Sequence, residues 1–122
     1  MRVLVISDIH ANYTALQAVL KDAGQVDETW CLGDLVGYGP DPNAVVEEVR
    51  EIQNLTCMLG NHDVAVIGKM PFETFNGDAR RSLTNHEKVM TADNMDFLHS
   101  LSSTAKVCGD ATLAHGSPRD PL

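Results

Sequence analysis

The apolar positions of this chain follow two rhythms: short unbroken runs, and stretches spaced for a helix. Residues 2–7, RVLVIS, are a β-branched run that predicts a fully buried strand. Leu16, Val19, Leu20 and Ala23 then recur at i, i+3, i+4 and i+7, which predicts a helix capped by Asn12 and ended by Gly24. Residues 28–33, ETWCLG, predict a second strand, and the turn-rich VGYGPDPN follows it. Asp41 at the N-cap and Pro42 at the first helical position start a helix running to about Glu51. It carries Val45, Val46, Val49 and Ile52 on one face. Residues 55–60, LTCMLG, predict a third strand, and the GNHD after it reads as a turn.

Residues 70–101 are more polar and read as helical, with Phe72, Phe75, Leu83, Met90, Met95, Phe97, Leu98 and Leu101 as apolar contacts. TAKVC and ATLAH flank Gly109-Asp110, a hairpin signal. The first sixty residues therefore read β-α-β-α-β, which implies an α/β fold with a parallel sheet and right-handed crossovers. In such sheets ligands gather beyond the carboxyl ends of the strands.

A length of 122 residues suits one domain, residues 1–122. Acidic residues outnumber basic ones 17 to 9, a formal charge of -8, which disfavours nucleic acid as a stable partner. A small phosphorylated substrate stays compatible, because a bound metal inverts the local charge. No apolar run approaches the roughly 18 to 20 residues of a membrane span, and the N-terminus lacks a signal-peptide pattern, so a cytoplasmic protein without a membrane partner is expected. Cys31, Cys57 and Cys108 form no CxxC pair and read as buried free thiols.

The strand ends carry the chemistry. The first ends in SDIH, giving Asp8 and His10; the second in GD, giving Asp34; the third in GNHD, giving Asn61, His62 and Asp63; ATLAH ends in His115. A lone Asp after a strand is ordinarily a cap or turn residue, and a lone His is ordinarily structural. Four successive strand ends of this kind are not explained by turns. Carboxylate, imidazole and amide oxygen suit Mn, Fe, Zn or Ni, and Mg less well. The two oxygens of Asp34 can bridge ions about 3.5 to 4 Å apart, the spacing of a two-metal site.

In order and over most of the chain, DIH, GD, GNHD and HG resemble the motifs of the calcineurin-like metallophosphoesterase superfamily, and GYGPDPN resembles its small bacterial and archaeal phosphodiesterase branch. The resemblance implies a four-layer α/β/β/α sandwich, of which this chain supplies mainly the N-terminal half. It implies that Asp8 and His10 bind a first metal, Asp34 bridges, and Asn61 and His115 bind a second. His62 is then not a ligand but the general acid or a stabiliser of phosphoryl charge, and Asp63 orients neighbouring groups from behind. The implied activity is hydrolysis of a phosphodiester or small phosphomonoester by a hydroxide bridging two divalent metals.

The family's Gly-His-x-His motif does not occur in these residues, so the domain is expected to be incomplete at its C-terminal end and an uncovered sheet face to favour association. Oligomeric state is left open, a homo-oligomer included. Ala11 stands where relatives often carry glycine, so its conformation is expected to suit alanine. The arginine that follows GD in Ser/Thr protein phosphatases is missing from GDLVGYG, which weighs against that alternative. A non-catalytic, metal-braced binding module is the other alternative.

Tyr38 reads as a turn filler or as a border of the substrate. His86 and His99 read as surface or cap residues, since HEKVM lacks the second histidine of HExxH. Arg80, Arg81 and Lys88 form a basic cluster, solvated or facing a phosphate.

Overall fold

Alternation along the strands decides which side of the sheet is covered. The structure, a computed structural model, describes residues 1–122. Strands β1 (Val3–Ile6), β2 (Glu28–Cys31) and β3 (Leu55–Cys57) form one parallel sheet in the order β1-β2-β3. Ile6, Cys31 and Cys57 are in register, so they share one face. That face packs on Leu16, Val45, Val46 and Val49. The opposite face carries Val5, Trp30 and Thr56, and Val5 is 52% exposed. The expectation of a fully buried first strand therefore fails on one side: β1 is an edge strand with helices over a single face.

Helix α1 (Tyr13–Ala23) starts and stops where the caps predict. Asn12 Oδ1 accepts from Ala15 N at 3.0 Å, and Gly24 takes a φ of 65° while its N–H bonds Leu20 O. Val19 was expected on its inner face but is 45% exposed; Leu16 carries the burial. Helix α2 (Pro42–Arg50) begins with proline as predicted, but Asp41 makes no side-chain cap. Its backbone N–H instead donates to Ala11 O at 2.9 Å, tying the loop after β2 to the loop after β1.

The GNHD segment is not simply a turn. It opens helix α3 (Asn61–Val66), with Gly60 at the N-cap and Asp63 Oδ2 accepting from Gly60 N at 2.9 Å. A short 3-10 turn (Phe72–Thr74) leads to α4 (Gly77–Val89) and α5 (Ala92–His99). The hairpin falls where Gly109-Asp110 predicts, as β4 (Lys106–Cys108) and β5 (Ala111–Leu113). It is a separate antiparallel sheet, so the fourth ligand-type strand end does not come from the parallel one.

No helix is long and apolar enough to cross a membrane. All three cysteines are free; Cys31 and Cys57 are buried and Cys108 only partly so, against expectation. A hydrogen bond with the Cys31 thiol, together with burial, pushes the Cys57 thiol upward, away from a reactive thiolate.

Candidate metal centre

The loops leaving β1 and β2 continue the pairing of their strands. Asp8 N donates to Gly33 O at 2.9 Å, His10 N to Asp34 O at 2.9 Å, and Ala11 N to Leu35 O at 2.7 Å. This zip carries the side chains of Asp8, His10 and Asp34 to one sheet end. The cost is backbone strain. Asp8, His10, Ala11, Asp34 and Tyr38 all have φ between 48° and 64°, the left-handed region that non-glycine residues avoid. The expectation that Ala11 sits in a conformation suited to alanine fails at φ 54°; the zip imposes glycine-like backbone there. Two glycines are required by space. A Cβ on Gly33 would lie 2.2 Å from Gly60 N, and one on Gly60 would lie 2.2 Å from Asp34 Oδ1. The glycines of GD and GNHD thus let two loops touch.

Asp63 holds those loops. Its carboxylate accepts from Asp34 N at 2.7 Å, Leu35 N at 2.9 Å, Val36 N at 3.2 Å and Gly60 N at 2.9 Å. Burial pushes this carboxyl up to about 7, against the amide donors that favour its anion.

Asp34 lies at the centre. It is 3% exposed, and its Oδ2 is 3.6 Å from His10 Nε2 and 3.3 Å from His115 Nε2. Burial pushes its carboxyl up to about 6, opposed by His115. Both histidines have their tautomer set from behind. His10 Nδ1 bonds Val36 O at 2.9 Å and His115 Nδ1 bonds Leu32 O at 2.8 Å. A carbonyl only accepts, so each Nδ1 carries a hydrogen, and in the neutral ring each Nε2 points a lone pair at Asp34. Asp8 Oδ1 lies 3.6 Å from His10 Nε2, and Asn61 Oδ1 lies 3.2 Å from His115 Nε2.

Acceptors therefore face acceptors. Turning the Asn61 amide over would let its nitrogen donate to His115 and Asp34 at 3.2 to 3.3 Å. As oriented, its oxygen joins two carboxylates and two imidazole lone pairs around a common space, which a cation reconciles. Asp8, Asp34 and His115 place ligand atoms within 4.8 Å of one another, and so do His10, Asp34 and His62. Asp34 belongs to both groups, but they place Asp8 with His115 and His10 with His62, whereas the resemblance pairs Asp8 with His10 and leaves His62 out. The donor set fits divalent ions without a thiolate.

His62 sits beside these groups with its Nδ1 buried and unpartnered. Burial, then the nearby His10, push its imidazole down to about 4. Its ring is 4.7 Å from His10, 5.1 Å from Tyr38 and 4.8 Å from Phe75. Gly37 makes room for it, since a Cβ there would lie 2.4 Å from His62 Nδ1.

Asp8, His10, Asp34, Asn61, His62, Asp63, His115 and Tyr38 thus lie together, whereas Lys88 and His99, also singled out in the sequence, are exposed. Two participants were missed. Phe75 was assigned to the helical middle as core. His86 was assigned to the surface, yet it is 1% exposed and bonds Gly37 N and Gly39 O, because α4 turns it inward onto the GYGP loop. Nothing local in HEKVM signals that long-range contact. Arg80 and Arg81 are exposed, and Arg81 pairs with Asp78 on its own helix.

Residues 1–121 match the model of the calcineurin-like phosphoesterase family, and the chain belongs to that family. It is similar to an uncharacterized protein of Methanocaldococcus jannaschii, at 38% identity over 98% of this chain and 51% of that protein. It is also similar to a symmetrical bis(5'-nucleosyl)-tetraphosphatase of Erwinia tasmaniensis, at 38% identity over 80% of this chain and 36% of that one. A crystal structure of a metallophosphoesterase from Sphaerobacter thermophilus superimposes with a TM-score of 0.85 and 47% identity, covering 100% of this chain and 49% of that chain. The chain spans about half, or less, of each of these relatives' length.

Proposed function

We propose that this chain carries the catalytic face of a metal-dependent phosphoesterase acting on phosphodiesters or small phosphorylated molecules, nucleotides included. The observation that carries the reading is Asp34, a buried carboxylate shared by two ligand groups, with the Nε2 lone pairs of His10 and His115 turned toward it. Family membership supports phosphoester hydrolysis, and the tetraphosphatase name of a relative supports a nucleotide-like substrate.

Asp8 and His10 would hold one ion, Asn61 and His115 a second, and Asp34 both. Divalent ions in such a site supply charge neutralisation for the phosphoryl group and water ionised near neutral pH. The chain's own residues do the rest. Asp63 fixes the backbone that presents Asp34. Burial favours the neutral ring of His62. As general acid it would act as an imidazolium, the negative charge of the phosphoryl group offsetting that burial, and would hand its proton to the leaving-group oxygen as the phosphorus–oxygen bond breaks. Tyr38, 48% exposed beside His62, borders the substrate.

A metal-braced binding module is the second reading, and one observation favours it: His62 is close enough to His10 and Asp34 to be a ligand itself. The variant His62→Ala separates the two. In the full chain with Mn²⁺ and bis(p-nitrophenyl) phosphate, turnover should fall about 100-fold or more while metal content by elemental analysis stays at the wild-type value. Metal lost from the variant would make His62 a ligand and remove it as the acid. A wild-type protein that binds metal and cleaves neither this diester nor p-nitrophenyl phosphate would favour the binding module.

A further inference from the structure

Helix α4 grips the loop that borders the site at several points, and all of them converge on Tyr38. We propose that Tyr38 is a specificity-determining residue that receives the aromatic ring of a substrate's leaving group, a nucleobase or aryl group, and that Ser82 and His86 are the residues that position it. This rests on the phosphoesterase reading above.

Tyr38 has φ 64°, a conformation that a bulky side chain adopts only where its surroundings over-determine it. Those surroundings are explicit. Tyr38 N donates to Ser82 Oγ at 2.8 Å, and Ser82 Oγ is itself aligned by donating to Ala79 O at 2.8 Å. On either side, Gly37 N donates to His86 Nδ1 at 3.1 Å and His86 Nε2 bonds Gly39 O at 2.8 Å. The phenol is caught as well. Asn76 Nδ2 donates to Tyr38 OH at 3.1 Å, while Asn76 Oδ1 caps the helix by accepting from Ala79 N at 2.9 Å.

This effort does not serve the core, since Tyr38 is 48% exposed. It places the ring 5.1 Å from both His10 and His62, and Phe75 lies 4.8 Å from His62 in turn. A phosphoryl group at the ligand cluster, with its leaving oxygen toward His62, would therefore project its leaving group along an aromatic wall. A turn filler needs neither the strained backbone nor the anchored hydroxyl. Base-on-aromatic stacking tolerates different bases, so the wall selects a class of leaving group and not one nucleobase.

The test compares adenosine 5'-monophosphate with inorganic phosphate by titration calorimetry on the Mn²⁺-loaded full chain. The wild type should prefer the nucleotide. Tyr38→Ala should weaken nucleotide binding about tenfold and leave phosphate within about twofold. Tyr38→Phe should keep most of the preference. Ser82→Ala and His86→Ala should lower it as Tyr38→Ala does, and His86→Gln, which keeps a donor and an acceptor, should restore part of it. Circular dichroism checks folding; if His86→Ala unfolds, Ser82→Ala carries the test.

An unchanged nucleotide-to-phosphate ratio in Tyr38→Ala overturns the wall. A ratio lost in Tyr38→Ala but untouched in folded Ser82→Ala and His86→Ala overturns the positioning roles. A wild type that hydrolyses the diester yet binds the nucleotide no better than phosphate overturns this inference alone. One that neither binds phosphate nor hydrolyses the diester overturns the phosphoesterase reading beneath it.

Discussion

Asp63 shows how one residue off the reaction path can govern those on it. Its two oxygens accept from the amides of Asp34, Leu35, Val36 and Gly60, so it fixes two loops that meet without a side chain between them. In Asp63→Asn the shape is kept, but an NH2 group faces at least one amide N–H, donor against donor. Hydrogen bonds to a charged acceptor contribute about 1.5 to 3 kcal/mol each, and an unpaired buried donor costs about 1 to 3 kcal/mol. The variant should lose about 3 kcal/mol in urea denaturation followed by Trp30 fluorescence. A loss under 1 kcal/mol would mean that the amides find other partners. Asp63 was legible in the sequence as a residue acting on its neighbours, because it trails Asn61 and His62 in one motif. Its real reach, back to residues 34–36, was not, because that contact exists only once β2 and β3 are side by side.

At the scale of elements, the strands and outer helices were readable because each carries its own signal, as in the Asn12 and Gly24 caps of α1 and the Gly109-Asp110 turn of the hairpin. Helix α3 was not. It has six residues, and its polar start looks like a turn until Asp63 Oδ2 reaches back to accept from Gly60 N. The inward role of α4 was hidden for a different reason: its helical period is clear, but the face that meets the GYGP loop is polar. His86 on that face yields a pH prediction. It accepts from Gly37 N and donates to Gly39 O, an arrangement open only to neutral imidazole. Burial pushes its pKa down. Below the unfolded value of about 6.5 the unfolded chain binds the extra proton first. The stability contributed by neutral His86 is therefore present above about pH 6.5 and lost as pH falls through the lowered folded value. Between pH 7.5 and 5.5 the urea midpoint of the wild type should fall further than that of His86→Gln, which has no proton to gain. Parallel profiles for the two proteins would remove His86 as the titrating group.

For the whole molecule, the centre is a place where the fold works against its own electrostatics. Net charge is -8, and the strand ends press Asp8, Asp34 and the Asn61 oxygen together with two imidazole lone pairs. Strained backbone at Asp8, His10 and Asp34 adds to that cost. A chain that holds acceptors together in the folded state and releases them on unfolding must be stabilised by any cation that binds only the folded form. At a concentration about a hundredfold above Kd, one such ion adds about 2.7 kcal/mol. For a domain of this size that is roughly a 10 °C rise in Tm. Mn²⁺, Zn²⁺ or Ni²⁺ added to the metal-free protein should produce that shift in calorimetry, and a chelator should reverse it. Asp34→Asn should behave differently from both states. It removes the negative charge shared by the two ligand groups, so its metal-free form should melt no lower than the metal-free wild type, while its response to metal should be largely lost. If no divalent ion raises the wild-type Tm, or if Asp34→Asn keeps the full response, the convergence at the strand ends is not a metal centre.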